Sequence, residues 1–198
     1  MNQIINALIH GAEVEGGFFA GVVVVNGLKY GVVVSPKTRG EFADEWGNPG
    51  EKIEARHLSD GLANTQAMAA ADSKIATQAL GLDINGFQDW YIPARDELEL
   101  IYRNLKPTPQ QNWCTFRDGE NPSSVPVGIL YTDESPGQTS VDDFRAGRGE
   151  AMDPAWYWSS TQSSADYAFV QHFYDGCQSY GRKGYSFRVR AVRRFLID

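Results

Sequence analysis

Two runs of valine separated by one short turn limit most strongly what this chain can fold into. Residues 22–25 are all valine and lead into Asn26-Gly27, and residues 32–34 are valine again. Asn-Gly between two β-branched runs is the strongest local signal for a two-residue hairpin turn. Because the apolar residues are nearly continuous, both faces of the strands should be buried. The sequence therefore predicts a hairpin within residues 17–35 that packs under another element or against another subunit.

Composition and charge exclude several classes of protein. The chain has 198 residues, 42% of them apolar, which fits one folded domain with a core. With 18 basic and 25 acidic residues the net charge is −7, which argues against nucleic-acid or anionic-membrane partners bound through bulk charge. No apolar run is long enough to span a bilayer. Residues 1–10 lack the features of a secretory signal, so export by that route is not expected.

Helices are predicted early in the chain and strands late. The first helix is predicted over residues 60–80, ending at Gly81, after a turn-rich loop at 40–55. A second contains Leu98, Ile101, Tyr102 and Leu105 at helical spacing and ends before Pro107. Strands are predicted at residues 125–132, 157–160, 167–173 and 187–195. This order predicts an α+β fold, with a hairpin region at 1–38, for packing or oligomerisation, and the main domain at 39–198.

Common catalytic and metal-binding motifs are missing. Cys114 and Cys177 are too few for a disulfide scaffold and are left open as a pair or as free thiols. With the three histidines they show no zinc spacing. Carboxylates in the irregular segment could form a glycosidase pair or bind calcium, but no motif supports either use; they are Asp133, Glu134, Asp142, Asp143, Glu150 and Asp153. We therefore expect no catalytic residue, no metal and no cofactor.

The strand at residues 167–173 leads into the most distinctive segment of the chain. Strict alternation places Phe169 and Phe173 on one face, as core, and Val170 and His172 on the other. The segment 175–185 that follows mixes tyrosine, arginine, serine and glycine, a composition typical of binding surfaces. The alternative is a glycine-rich hairpin whose aromatic rings only cover the core. Composition by itself leaves both interpretations open.

Basic residues also gather near the C-terminus. Six of the 18 lie there: Arg182, Lys183, Arg188, Arg190, Arg193 and Arg194. Arg188 and Arg190 alternate with apolar residues, so we interpret the stretch as a half-buried strand whose arginines pair with the acidic excess elsewhere. A nucleic-acid patch is the less favoured alternative, given the net charge.

Several short motifs resemble a known family. The chain is similar to the bacterial and phage domains of C-type-lectin-like fold, which are related in fold to the variable proteins diversified by retroelements and to the formylglycine-generating enzymes. The resemblance runs from about Gly17 to the C-terminus. It rests on these segments: Asp60-Gly61-Leu62-Ala63-Asn64-Thr65, Asp89-Trp90-Tyr91-Ile92-Pro93, Asp96-Glu97-Leu98, Tyr157-Trp158-Ser159-Ser160-Thr161, Phe173 with Gly176, and Arg188-Val189-Arg190-Ala191-Val192-Arg193.

The resemblance implies a C-type-lectin-like fold, with two helices packed on short, mostly antiparallel strands, and assigns residue roles. Trp90, Trp158, Phe173 and Gly176 would be scaffold. The ligand-binding face would comprise Val170, His172, Tyr174, Cys177, Ser179, Tyr180, Arg182 and Tyr185. The calcium motifs of sugar-binding C-type lectins are missing from the chain.

The function implied by the resemblance is non-enzymatic binding. We expect a tail-associated protein of a phage or prophage particle, made in the host cytoplasm, that recognises a host-surface protein or glycan. Other virion proteins and further copies of the chain, such as a trimer, are expected partners. The alternatives are a structural protein of the capsid or tail, and an oxidase of the formylglycine-generating type that would use Cys114 and Cys177.

Overall fold

The computed structural model of the protein describes residues 8–115 and 117–197. Within these residues it is a mixed α and β structure with two five-stranded sheets, as the predicted α+β class requires. The strand pairs are antiparallel except for a single parallel contact between Tyr157 and Arg188. Residues 1–7, where the sequence indicates no secretory signal, lie outside the described residues.

The predicted hairpin is confirmed and forms the centre of the first sheet. Strands β2 (Gly17–Val25) and β3 (Leu28–Val34) are joined by Asn26 and Gly27, whose φ angles of 51° and 81° fit a type I′ turn. β1 (Glu13–Val14) and β5 (Ser124–Val125) pair with β2, and the C-terminal strand β10 (Val192–Ile197) pairs with β3. The hairpin is thus joined to the end of the chain.

Both faces of the hairpin pack against other elements of the same chain. Val23, Val25, Val32 and Val34 pack in the main core, which includes the apolar side of helix α4 (Arg95–Leu105). On the opposite face Val33 packs in a second cluster with buried residues including Ile84, Trp90 and Ala191. The two-sided burial that the valine runs predict is therefore met in part within one chain, since Val22 and Val24 are only half-buried.

The second sheet contains the late strands except β10. Its order is β4 (Glu41–Glu45), β9 (Ser186–Arg190), β6 (Trp156–Gln162), β7 (Tyr167–His172) and β8 (Gln178–Arg182). The single strand predicted over 187–195 is therefore divided between β9 in this sheet and β10 in the first. β8 lies at one edge and pairs only with β7. The sequence prediction of a loop over residues 40–55 was wrong for β4, because a polar strand with little β propensity is held by the ladder to β9 and by ion pairs from Arg188 and Arg190 to Glu41.

The helices agree in part with the sequence prediction. α4 was predicted correctly and ends before Pro107. The single helix predicted over 60–80 is two helices, α2 (Gly61–Ala70) and α3 (Lys74–Leu80), after a short helical turn α1 (Lys37–Gly40). The break lies at Asp72, which has a φ of 59°, and at Ser73, whose hydroxyl donates to the Trp46 carbonyl at 2.7 Å. This tertiary hydrogen bond outweighs local helix propensity.

The long segment between α4 and β6 is irregular but anchored. Of the strand predicted over 125–132, only Val125 lies in a strand, β5 (Ser124–Val125), and Gly128 forms an isolated bridge to Asn121. The rest is held by Arg103, whose guanidinium donates to the carbonyls of Gly119 and Ile129 at 2.6 and 2.7 Å. Side-chain donors have replaced strand pairing, which periodicity cannot reveal.

Candidate functional site

The hairpin of β7 and β8 holds most of the predicted ligand-binding residues, but its two faces differ from the prediction. Ala168 and Val170 point into the core beside Trp158, and Val170 is only 5% exposed. Phe169 is half-buried and lies opposite Tyr180 on the other face. Val170 therefore cannot form part of a contact surface, and Phe169 does not belong to the buried core.

The reason for this reversal is the register with β6. Trp158 pairs with Val170, and the buried Trp158 ring contacts Phe187 at a centroid distance of 4.7 Å. A large ring at that position directs the neighbouring side chains of β7 inward on the same face. Ser179, which pairs with Val170 on β8, shares this inner face and is half-buried.

A groove opens at the end of the hairpin away from its turn. We call it the tyrosine groove; it has a volume of about 430 Å³ and is lined by Pro49, Asp166, Tyr167, Arg182, Gly184 and Tyr185. Arg182 Nε donates to the Tyr167 hydroxyl at 3.2 Å, and its guanidinium lies 5.8 Å from the Tyr167 ring centroid. The Tyr185 side chain is 55% exposed. Two aromatic rings, one cation and one carboxylate thus face the same open space.

An aromatic pair continues the surface beside the groove. Tyr180 is 60% exposed, and its ring packs on Phe169 at 5.3 Å between centroids. The guanidinium of Arg95, at the start of α4, lies 5.7 Å from the Phe169 ring. Because Tyr167 pairs with Arg182 and Phe169 with Tyr180, these four side chains share one face of the hairpin.

The remaining predicted residues lie at the turn of the hairpin. The His172 ring lies 4.7 Å from Trp156 and bonds Asp175 through Nδ1 at 3.0 Å. Tyr174, 42% exposed, borders a different cavity of about 470 Å³, with Lys37 and Asp153 on its wall. The five-pair β7–β8 ladder, roughly 15 Å long at about 3.4 Å per residue, separates this turn from the groove. One small ligand therefore does not touch both Tyr174 and Tyr185.

The scaffold residues implied by the resemblance are buried. Trp90, Trp158 and Phe173 have no exposed surface. Gly176 has a φ of 77°, and a Cβ there would overlap the Tyr102 ring. Glycine alone fits both the backbone conformation and the close approach. Phe173 and Gly176 lie against Tyr102 of α4, whereas Trp158 and Trp90 pack in the two other core clusters.

The two cysteines are free thiols. The pKa of Cys177 is raised to about 11 by burial and by the carboxylates of Asp118 and Asp175. The pKa of Cys114 is also raised, by desolvation and by Asp133. Reactive thiolates have lowered pKa values, so both thiols are poorly suited to act as nucleophiles at neutral pH.

Three carboxylates on α4 are buried, which is typical of functional sites. Each is used internally. Glu97 accepts from the Tyr91 hydroxyl and from the amides of Ala94 and Gly61, at 2.7, 2.8 and 3.2 Å. Glu99 pairs with Arg103, and Asp96 with Arg95. These groups fasten α4 to its neighbours.

The C-terminal arginines pair with acidic residues, as predicted. Arg188 and Arg190 both reach Glu41, and Arg190 also reaches Glu150 at 2.6 Å. Arg193 pairs with Glu15 and Asp89, and Arg194 with Asp60. These four arginines form ion pairs within the chain. Of the C-terminal arginines, Arg182 lines the groove.

Neither a membrane span nor a metal cluster is found in the part of the chain that the structure describes. The longest described helix, α4, has 11 residues, and no helix reaches the length and hydropathy of a bilayer span. No group of three or more histidine, cysteine, aspartate or glutamate side chains in residues 8–115 and 117–197 is placed to hold a metal ion.

Comparison with known proteins assigns the chain to a family. A family model described as the Lcl C-terminal domain matches residues 45–193, about three-quarters of the chain. The chain belongs to the Lcl C-terminal domain family. This is a lectin-like family, in agreement with the coarser part of the resemblance found in the sequence.

Other comparisons add little to the Lcl C-terminal domain assignment. A fimbrial protein from Bacteroides ovatus ATCC 8483 is similar at 12% sequence identity and a TM-score of 0.44. The match covers 82% of this chain and 35% of the fimbrial protein, so the chain spans about a third of that structure. No curated protein matches the chain.

Sequence reasoning named only two of the six residues that line the groove of this Lcl C-terminal domain, Arg182 and Tyr185. Asp166 immediately precedes β7 and Tyr167 begins it, and they lie opposite Lys183 and Arg182. Had the turn between β7 and β8 been located in the sequence, this register would have placed both residues in the groove. Pro49 comes from a loop far away in the chain, and no local signal connects it to the hairpin. The three predicted residues that do meet at or beside the groove are Tyr180, Arg182 and Tyr185.

Proposed function

We propose that this Lcl C-terminal domain is a non-enzymatic ligand-binding module of C-type-lectin-like fold whose ligand occupies the tyrosine groove. The observation that carries the proposal is an open groove in which two tyrosine rings, Arg182 and Asp166 stand together outside the core. The ligand class is a protein or glycan at a cell surface. The family assignment supports a lectin-like binding role.

The chemistry of the groove suits a ligand with one apolar face and polar edges. Tyrosine rings give flat contact area at low cost in side-chain entropy, and their hydroxyls can donate and accept. Arg182 offers guanidinium donors and Asp166 a carboxylate acceptor, so both kinds of polar partner can be met. The Arg182–Tyr167 hydrogen bond orients the cation before a ligand arrives.

The non-enzymatic part of the proposal rests on how the reactive groups are used. Both thiols have raised pKa values, which disfavours a thiolate nucleophile at neutral pH. The buried carboxylates of α4 are engaged with Tyr91, Arg103 and Arg95 rather than facing a cavity together. Asp166 and Arg182 give the groove a hydrogen-bond acceptor and a donor. The residues that line the groove do not include a nucleophile paired with a general base.

We further propose that the module lies at the surface of a phage or prophage particle, where it would contact the host through the groove. Other virion proteins would hold the opposite side, and the particle would supply many copies and thus avidity. A structural capsid or tail protein is the competing hypothesis. It requires Tyr180 and Tyr185 to be covered by neighbouring virion proteins, whereas attachment requires them exposed in the assembled particle.

Substitutions in the groove test the binding role. We expect Tyr185→Ala and Arg182→Ala to weaken binding by roughly 30-fold, as loss of a contact worth about 2 kcal/mol would. Tyr174→Ala is the matched control, because its equally exposed ring lies at the far end of the hairpin. The purified chain and each variant would be measured on a glycan array and on intact bacterial cells. Groove variants that bind as well as the unchanged chain would contradict the proposal.

A homo-oligomer such as a trimer stays a prediction. Its original reason, the need to bury both faces of the hairpin, is met only in part inside one chain, because Val33 is buried whereas Val22 and Val24 are half-buried.

A further inference from the structure

The irregular segment between α4 and β6 contains an uncharged stretch with an unusual surface. Residues 121–132 include no aspartate, glutamate, lysine or arginine. We call residues 121–131 the apolar loop, because each of its exposed residues is apolar: Pro122, Val125, Pro126, Val127, Ile129 and Leu130. Exposed loops are ordinarily polar, and a run of exposed apolar residues is expected only where it has a function.

Three aliphatic side chains dominate the surface of the apolar loop. Val127 is 64% exposed, Ile129 70% and Leu130 53%. Charged residues flank the loop in the chain, with the Arg117–Glu120 ion pair before it and Asp133 after it. An exposed apolar patch with a polar rim marks a site of contact with a protein or a membrane.

The apolar loop is held firmly from the side of α4. The backbones of Asn121 and Gly128 exchange two hydrogen bonds, at 3.3 and 2.8 Å. The Asn121 side chain donates to Glu99 at 2.6 Å, and Arg103 donates to the Ile129 carbonyl at 2.7 Å. The exposed side chains are therefore arranged before any partner arrives, which lowers the ordering cost of binding.

Backbone carbonyls within the apolar loop also have partners. The Ser123 carbonyl accepts from the Val24 amide at 2.7 Å, and the Pro126 carbonyl accepts from the Ser124 hydroxyl at 2.9 Å. The same holds for the carbonyls of Asn121, Gly128 and Ile129. Because these groups already accept hydrogen bonds, the neighbouring side chains can enter an apolar medium without leaving them unsatisfied.

The chemistry of the apolar loop favours a lipid surface over a protein partner. Protein hot spots are enriched in tryptophan, tyrosine and arginine, whereas leucine and valine are under-represented. A stable protein interface takes roughly 20–30 residues from each side, and the apolar loop exposes six. A lipid surface needs no matching shape, and valine, isoleucine and leucine transfer into it favourably. The net charge of −7 disfavours both a second copy of the chain and anionic lipid.

We propose that the apolar loop inserts Val127, Ile129 and Leu130 into the surface of a membrane whose headgroups carry no net charge. The insertion is shallow, because irregular backbone does not enter the hydrocarbon region when it faces lipid. One copy binds weakly and reversibly through so few side chains, and several linked copies bind more strongly. The contact is independent of what the tyrosine groove binds.

Two leucines of equal exposure give a matched pair of variants. Leu130 in the apolar loop and Leu196 on β10 are both 53% exposed. Within the first sheet, β2 and β3 separate β10 from β5, the strand of the apolar loop. Flotation of the full chain with phosphatidylcholine vesicles would measure binding. We expect Leu130→Ser to weaken it about tenfold, through the loss of buried apolar area, and Leu196→Ser to leave it unchanged.

The composition of the vesicles tests the kind of attraction. Binding to phosphatidylcholine should persist in high salt, because it does not depend on charge. Replacing half of the phosphatidylcholine by phosphatidylserine should weaken binding, since the chain is acidic overall. Stronger binding to the anionic vesicles, or binding that salt abolishes, would overturn the proposal.

Amide exchange gives a second readout on the unchanged chain. Exchange over residues 121–131 should slow when phosphatidylcholine vesicles are added, while exchange over residues 192–197 stays the same. The proposal is overturned if the chain does not bind these vesicles, or if the two leucine variants weaken binding equally. Protection of residues 121–131 that grows with protein concentration in the absence of vesicles would also overturn it, because copies of the chain would then cover the apolar loop.

Discussion

Glu97 is a carboxylic acid with no solvent contact, held by three donors that belong to different elements. Its oxygens accept from Tyr91, from Ala94 at the start of α4 and from Gly61 at the start of α2. Burial raises the pKa of Glu97 to about 7, and the hydrogen bonds from Ala94 and Tyr91 together with the charge of Arg194 oppose that shift. The helix dipole favours a carboxylate in the first turn of α4. The bridge from Glu97 to the start of α2 depends instead on how the two helices pack together.

The raised pKa of Glu97 predicts a pH dependence of stability. Between about pH 4.5, the unfolded value, and about pH 7, the folded protein holds a proton that the unfolded chain has lost. The stability contributed by this proton is complete below pH 4.5 and is lost as the pH rises through 7, by at most about 3 kcal/mol. Glu97→Gln should remove this loss, because the amide never ionises.

Urea unfolding of the chain and of Glu97→Gln at several pH values measures this effect. The difference between the two isolates Glu97 from the other buried acids, Asp96 and Glu99, whose pKa values are also raised by burial. A difference in unfolding free energy that stays constant from pH 4.5 to 7 would show that Glu97 does not take up a proton on folding.

Among the elements, β9 is linked by one side chain, Arg190, to three parts of the chain that are distant in sequence. This fully buried guanidinium donates to the Ser35 carbonyl at 2.7 Å and to Glu150 at 2.6 Å, and it also pairs with Glu41. It thereby connects the end of the hairpin, strand β4 and the irregular segment. The alternation of arginine with apolar residues correctly predicted that these arginines pair with acidic residues. It could not predict that the partners are Glu41 and Glu150, because both are far from β9 in the chain and are brought to it by the fold.

Loss of Arg190 should be costly. Arg190→Ala leaves the buried Glu41 with fewer cations and removes three anchoring contacts, so we expect a destabilisation of roughly 3–5 kcal/mol. Arg148→Ala is the control, because the Arg148–Asp142 pair is mostly exposed and should contribute less than about 1 kcal/mol. Chemical denaturation of both variants would measure the difference. Equal costs for the two would mean that the buried pair does not stabilise β9.

The elements also show where local sequence is sufficient. The β2–β3 hairpin and α4 were predictable because Asn26-Gly27, Pro107 and the apolar spacing of α4 are signals within a few residues. The break between α2 and α3 and the existence of β4 were not, because each depends on a partner elsewhere: Trp46 for Ser73, and β9 for β4.

For the molecule as a whole, the N- and C-terminal parts form one sheet. β10 pairs with β3 along six residues, and the main core combines hairpin valines with α4 and Phe173. A chain of residues 39–198 would expose β10 and the apolar side of α4. We expect this shortened chain not to fold cooperatively, although the sequence pattern predicts a boundary between residues 38 and 39.

Circular dichroism and thermal unfolding of residues 39–198 would test this expectation. Mixing in a synthetic peptide of residues 8–38 provides the control, because the missing strands should restore the transition if only they are lacking. A cooperative transition of 39–198 alone would show that the hairpin is an accessory to an independent domain.

The sequence by itself determined the α+β class, the hairpin, α4, the buried tryptophans and the resemblance to a lectin-like family, because these depend on short-range spacing and turn chemistry. It also predicted Tyr180, Arg182 and Tyr185 to be exposed on one part of the surface, and they lie at or beside the groove. Only the tertiary structure decided which face of β7 is buried, since Trp158 on the neighbouring strand directs Val170 inward. It alone brought Pro49, Asp166 and Tyr167 to the groove and placed Tyr174 elsewhere, because the groove arises from strand register, which couples residues far apart in the chain.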